Sequence, residues 1–182
     1  MCGIAGLLSQ SRGELDATVA RMVAAIRYRG PDDSGIWSDP AAGVGLGHAR
    51  LSILDLSPEG HQPMSSCSGR YVLSYNGEVY NFGELRSELE AAGTTFRGRS
   101  DTEVMLAAFD AWGIETSVKR LVGMFAFAVW DNHTQTLTLG RDRLGEKPLY
   151  YGWQGQTFLF GSELKSLKAH PAFRAEIDRD AL

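Results

Sequence analysis

Between residues 124 and 161 four short apolar stretches follow one another, at 124–130, 136–141, 149–153 and 158–161, with turn signals at Asp131-Asn132 and Gly155-Gln156. Strands joined in this way pair antiparallel, so much of the back half must be antiparallel sheet. Ahead of them lie a strand at 2–8 and a helix whose face carries Leu15, Val19, Met22, Val23 and Ile26, stopped by Arg29-Gly30-Pro31. Strands at 34–38 and 44–54 and a two-proline loop at 58–63 come next. A strand at 71–75 then runs into Asn76-Gly77, and a helix with Leu85 and Leu89 ends at Gly93. A third helix opens on the capping-box spacing of Ser100-Asp101-Thr102-Glu103 and reaches Gly113, with a short helix following near 117–122. Strands and helices therefore come in blocks, which predicts a layered α+β domain and not a doubly wound parallel sheet.

With 182 residues, 43% of them hydrophobic, the chain suits one globular domain with a substantial core. The net charge of -4 supplies no global basic field, which disfavours nucleic acid and anionic membrane as partners. The longest apolar run, 124–130, is far short of the roughly 18–20 residues that a bilayer span requires. Two cysteines cannot build a disulfide framework, and the apolar opening lacks a basic leader and is broken by Ser9 and Arg12. The expectation is a cytoplasmic protein with a domain at 1–170 and the start of a linker at 171–182.

Cys2 is the first chemical candidate. Removal of Met1 before so small a residue would leave a thiol and a free α-amine on one residue. An α-amine titrating at about 7.7–8.0 can take the proton of a thiol titrating at about 8.5 without help from a histidine. A small buried strand cysteine fits the position as well. Asn76-Gly77 reads either as a hairpin turn or as a pair of N–H donors for an oxyanion. Arg50 sits among apolar strand residues, where its guanidinium needs an anion: a substrate carboxylate, an internal acid, or a solvated edge. Asp101 is either a first-turn acid favoured by the helix dipole or the counter-ion of a substrate ammonium. His48, His61, His133 and His170 lack ligand spacing with the cysteines or with one another, so no metal site is expected.

Taken in order, nine blocks carry a resemblance: Met1-Cys2-Gly3-Ile4-Ala5-Gly6, Arg29-Gly30-Pro31-Asp32, Gly47-His48 with Arg50-Leu51-Ser52-Ile53, Gln62-Pro63-Met64, and Tyr75-Asn76-Gly77-Glu78-Val79-Tyr80-Asn81, then Ser100-Asp101-Thr102-Glu103, Gly123-Met124-Phe125-Ala126-Phe127-Ala128, Arg141-Asp142-Arg143-Leu144-Gly145 and Lys147-Pro148-Leu149-Tyr150-Tyr151. Together they resemble the glutamine amidotransferase domain of the asparagine synthetase family, the class II type with an N-terminal nucleophile. The resemblance covers nearly the whole chain. It implies an Ntn-hydrolase fold, a four-layer αββα sandwich with two antiparallel sheets.

It further implies that Cys2 attacks the side-chain amide of glutamine, releasing ammonia and then glutamate through a thioester. Asn76 and Gly77 would hold the oxyanion, and Arg50 the glutamine carboxylate. Glu78 and Asp101 would hold its α-amino end, and Leu51, Ser52, Ile53 and Leu54 would line the site. No cofactor is implied in this domain. ATP and Mg belong to the family's C-terminal synthetase domain, expected after Leu182, which would receive the ammonia and touch residues 141–151. A homodimer is left open. So are two other readings, a catalytically silent scaffold of the same fold and an amidotransferase half serving an acceptor other than the one used in asparagine synthesis.

Overall fold

The structure, a computed structural model, describes residues 1–10, 13–53 and 56–176. Among the described residues, nine strands form two antiparallel sheets. The first contains β1 (Gly3–Ser9), β2 (Asp33–Asp39), β3 (Val44–Arg50), β8 (Tyr150–Gln154) and β9 (Thr157–Gly161), in the order β2-β3-β1-β9-β8. The second contains β4 (Met64–Ser65), β5 (Tyr71–Val79), β6 (Gly123–Asp131) and β7 (Thr136–Arg141), in the order β4-β5-β6-β7. The helices are α1 (Leu15–Ala24), α2 (Phe82–Ala91), α3 (Asp101–Trp112), α4 (Ile114–Arg120) and α5 (Leu164–Lys168).

Three apolar layers separate these elements, and they define the four-layer order directly. Ala5, Leu7 and Ala49 of the five-stranded sheet pack with Val19, Met22 and Val23 of α1 and Leu167 of α5. Val44, Leu46 and Phe160 face Val72, Ala128 and Trp130 across the gap between the sheets. Leu73, Tyr75, Phe125 and Phe127 on the far face of the four-stranded sheet meet Leu85, Leu89, Met105 and Phe109. The period of two assigns each strand residue to one layer: Val44, Leu46 and His48 look inward, Gly45, Gly47 and Ala49 look at α1. The absence of a side chain at Gly47 lets α1 close on the sheet, since a Cβ there would stand 2.4 Å from Val23 Cγ2.

Several elements differ from the sequence reading. α1 stops at Ala24, and a single 3-10 turn at Arg27–Arg29 carries the chain on to Gly30. The strand expected at 44–54 ends at Arg50. The expected helix near 117–122 is α4, which starts earlier because Gly113, at φ +77°, reverses the chain at once. The turns at 131–132 and 155–156 join β6 to β7 and β8 to β9 as read, but the two pairs lie in different sheets. α3 has the expected Ser100 cap, with Glu103 N–H donating to Ser100 Oγ at 3.3 Å, while the Glu103 carboxylate accepts from Arg97 and Gly98. No helix of the described residues is long and apolar enough to cross a membrane.

Candidate active site

A cavity of about 170 Å³ opens where the start of β1, the end of β3, the second half of β5 and the start of α3 converge. Cys2 lies just before β1, and three contacts fix it there. Ile4 N–H donates to Ser162 Oγ (3.0 Å), Ser162 N–H donates back to Ile4 O (2.8 Å), and Arg29 Nε donates to Cys2 O (2.9 Å). Arg29 is itself held by Glu163, whose Oε1 lies 2.7 Å from Arg29 Nη1 and also accepts from the Tyr28 hydroxyl. Burial pushes the Glu163 carboxyl up, but the hydrogen bonds from Tyr28, Arg29 and Lys165 outweigh it and hold the group at about 2.

The thiol faces Leu51. Leu51 N–H donates to Cys2 Sγ at 3.3 Å, and Sγ lies 3.5 Å from Leu51 O. Burial pushes the thiol above its ordinary range, only partly offset by the Leu51 N–H, the chain terminus and Arg50. A thiol so placed needs a base to become a nucleophile. The segment 29–32 ties the neighbouring strand end to this point: Pro31 bridges Arg50, Asp32 N–H donates to Arg50 O (3.1 Å), and Asp32 Oδ2 accepts from Ser52 N–H (2.8 Å). Arg50 is 7% exposed, lines the cavity and donates from Nη1 to Ser57 O at 3.0 Å.

Asn76 and Gly77 form no hairpin turn. β5 runs straight through them, pairing Asn76 with Ala126 and Gly77 with Phe125. The ladder with β6 overrides the local turn preference of Asn-Gly, which removes one of the two readings of that pair. β4 covers the outer edge of β5 only at Val72 and Leu73. Beyond that point side chains replace the missing strand: Tyr75 N–H donates to Gln62 Oε1 (2.7 Å) and Val79 N–H to Asp101 Oδ2 (3.0 Å). Backbone N–H groups alternate between the two edges of a strand, so the Gly77 N–H lies on this same open edge, between the two capped ones. A Cβ at position 77 would come within 2.4 Å of Met124 O, so only glycine fits. Asn76 is 2% exposed, lines the cavity, and its Nδ2 has no hydrogen-bond partner among the described residues.

Asp101, the first residue of α3, is both a first-turn acid and a wall of the cavity. Its Oδ2 also accepts from the Tyr75 hydroxyl at 2.7 Å. Burial raises its pKa against these hydrogen bonds. Glu78, Leu51, Ser52 and Ile53 line the same cavity, and Leu54 lies outside the described residues. Every other site residue named from the sequence is thus brought to one place.

Three residues without a role in the sequence reading join them. Gln62 bridges Tyr75 N–H and, through Nε2, the Thr102 hydroxyl at 3.2 Å. Tyr75 is anchored at its N–H, its carbonyl and its hydroxyl. His48 supplies the carbonyl contact, with Nε2 donating to Tyr75 O at 2.9 Å; burial lowers its pKa to about 4, so the ring is neutral at pH 7. A signal for His48 was present in its parity with Val44 and Leu46, which points it between the sheets.

Residues 1–182 match the glutamine amidotransferase domain family. The chain is 44% identical over 187 residues to asparagine synthetase [glutamine-hydrolyzing] 3 of Bacillus subtilis, which covers 100% of this chain and 30% of that protein. It is 37% identical over 200 residues to putative asparagine synthetase [glutamine-hydrolyzing] 2 of Methanocaldococcus jannaschii, covering 100% of this chain and 38% of the relative. It thus spans about a third of the length of these relatives. Among solved structures, glutamine phosphoribosylpyrophosphate amidotransferase from B. subtilis superposes with a TM-score of 0.79 over 92% of this chain and 43% of the other, at 22% identity. That likeness bears on the fold, and it agrees with the two antiparallel sheets and their flanking helices. Fold, family match and relatives agree: the chain belongs to the glutamine amidotransferase domain family, and its relatives are glutamine-hydrolysing asparagine synthetases.

Proposed function

We propose that this chain is the glutaminase half of an asparagine synthetase-like amidotransferase, with Cys2 as its nucleophile once Met1 is removed. The observation that carries the reading is the grouping, in one cavity, of a thiol, an unpartnered buried amide donor on Asn76 and the open-edge N–H of Gly77. The α-amine of Cys2 takes the thiol proton as Sγ attacks the side-chain carbonyl carbon of glutamine. The Asn76 Nδ2–H and Gly77 N–H receive the oxygen as it becomes an oxyanion. The intermediate collapses, the α-ammonium returns the proton to the leaving nitrogen, and ammonia departs from a thioester. Water, deprotonated by the same amine, repeats the addition and releases glutamate. Arg50 binds the glutamine α-carboxylate through its planar fork, and Glu78 and Asp101 bind the α-ammonium. Leu51, Ser52 and Ile53 close the side of the cavity. This chemistry uses no cofactor in the domain.

In the whole protein the ammonia passes to a C-terminal synthetase domain that uses ATP and Mg. The length of the relatives supports this, as the chain covers only 30% and 38% of them. Cys2 and Cys67 are both free, which suits a cytoplasmic setting. The test is the intact mass of the untagged chain before and after an electrophilic glutamine analogue, with peptide mapping. The expected result is loss of Met1 and one adduct on Cys2. A processed chain left unlabelled, or a Cys2→Ala variant that hydrolyses glutamine at the unchanged rate, would overturn the assignment.

A further inference from the structure

Lys147 is a buried ammonium with no anion beside it among the described residues. The residue is 7% exposed and lines the same cavity as Cys2. Its Nζ has one polar partner among the described residues, the thioether Sδ of Met1 at 3.4 Å. A thioether is a weak acceptor, and an ammonium has three donors to satisfy. Burying such a charge unpaired is expensive, and an apolar side chain would fill the position without that cost. The loop that carries it is firmly built. Asp142 accepts the N–H groups of Phe125, Leu144, Glu146 and Lys147, and Arg141 Nε donates to Lys147 O at 2.7 Å. A rigid loop thus delivers a cation to the one residue whose removal exposes the Cys2 amine.

We propose that Lys147 is a positioning residue for the base of this site: its ammonium holds the α-amine of Cys2 in the neutral, proton-accepting form. The inference rests on the reading of that amine as the base. Five bonds separate Met1 Sδ from the Cys2 nitrogen, at most about 6 Å, so the ammonium stands within about 10 Å of it. A like charge at that range disfavours protonation of the amine.

Other charged and titratable groups face the same point. Arg29, on Cys2 O, is balanced by Glu163. Arg50 faces it from β3, and Glu78 and Asp101 from β5 and α3, with the Tyr75 phenol on Asp101. Asp32 reaches the site through Ser52, and His48 stands neutral behind Tyr75. The two carboxylates favour the charged amine, while Arg50 and Lys147 oppose it. When glutamine binds, its α-carboxylate neutralises Arg50 and its α-ammonium neutralises the carboxylates. Lys147 is the cation that remains.

The test is an NMR pH titration of the Met1-free chain labelled with 13C and 15N in cysteine. Exposed Cys67 serves as the internal control. The amine and thiol of Cys2 titrate as a coupled pair, so the midpoint followed is that of the α-nitrogen signal. In Lys147→Met this midpoint rises by about 0.5–1 pH unit, and the acid limb of kcat/KM for glutamine moves with it. In Lys147→Arg, which keeps the charge, it stays at the wild-type value. Should Lys147→Met fail to fold, Lys147→Gln removes the same charge. An unchanged α-amine midpoint in the neutral variant, with Cys67 also unchanged, overturns the proposal. Because the midpoint is read without turnover, a chain that titrates as expected but hydrolyses no glutamine would support the proposal and sink the glutaminase reading instead.

Discussion

Among the described residues, two buried N–H donors without a partner lie on the inner face of the four-stranded sheet: Asn76 Nδ2 on β5 and Trp130 Nε1 on β6. Trp130 pairs with Val72 in the ladder, so the two sites are four residues apart along β5, about 13 Å. At the Trp130 end the space between the sheets is filled by Val44, Leu46 and Phe160, and no acceptor can enter. At the Asn76 end the same layer opens into the cavity shared with Cys2. An unsatisfied buried donor is therefore informative only when there is room in front of it. One sheet face serves as core at one end and as chemistry at the other, because β4 is short and leaves the outer edge of β5 uncovered beyond Leu73.

The largest expected effect comes from Asn76→Ala. Loss of one oxyanion donor should lower kcat for glutamine hydrolysis by about 10²–10³-fold, with the half-saturation concentration much less affected. A loss confined to the half-saturation concentration would assign Asn76 to ground-state binding and blunt the contrast between the two ends.

The open end is also where charge is costly. His48 has a folded pKa of about 4 against an ordinary value of 6.5, set by complete burial. The unfolded chain therefore binds a proton below pH 6.5 that the folded chain refuses. Stability is present above that pH and falls as pH drops from 6.5 towards 4, by on the order of 3 kcal/mol. His170, whose pKa is also lowered by burial, shares the sign. Asp101, with its raised pKa, has the opposite sign, and the lowered carboxylates such as Glu163 lose their contribution further down. Urea unfolding of wild type and His48→Asn at pH 6.5 and 5 isolates the histidine: the slope should flatten in the variant. Equal slopes would show that His48 protonates without penalty.

A smaller effect is expected from Gln62→Leu, which leaves the Tyr75 N–H and the Thr102 hydroxyl without their partner. The loss should be about 1–3 kcal/mol of unfolding free energy. Glutamine hydrolysis should fall with it, since Tyr75 adjoins Asn76 and Gly77. Lost stability with unchanged hydrolysis would show that the edge of β5 holds its shape without this bridge.

Much of this was legible in the sequence wherever the determinant is local. α3 announces itself through Ser100 and a continuous apolar face, and β6 through its unbroken run from Met124 to Trp130. The run of Asn76-Gly77 through β5 was not legible, because the competing turn is favoured locally and only the ladder to Phe125 and Ala126 defeats it. Nor was the division of 136–141 and 149–153 between two sheets, since turn residues do not say which neighbour a strand will find. Cys2, Arg50 and Asp101 each had a chemical reading from residue type alone, with a bland alternative beside it. Gln62 had none and His48 only its inward parity with Val44 and Leu46, because their contacts to Tyr75 span 13 and 27 residues and no local pattern announces them.

Trp130→Phe should have the smallest effect. Phenylalanine keeps a flat aromatic ring in contact with Leu46, Val72 and Phe160 and deletes the unsatisfied indole N–H. It gives up part of the ring's volume, which opens a small void. The two contributions oppose each other: removing a buried unpaired donor recovers part of its desolvation cost, while lost packing works against stability. The net change in unfolding free energy should be within about 1–2 kcal/mol, and glutamine hydrolysis should match wild type once the fraction folded is equal. Chemical denaturation and steady-state kinetics on the same preparation check both halves. A fall in kcat comparable to that of Asn76→Ala would mean that the packed end transmits its geometry along β5 and β6 to the site. The sheet would then act as one rigid unit, and the division into a structural end and a chemical end would fail.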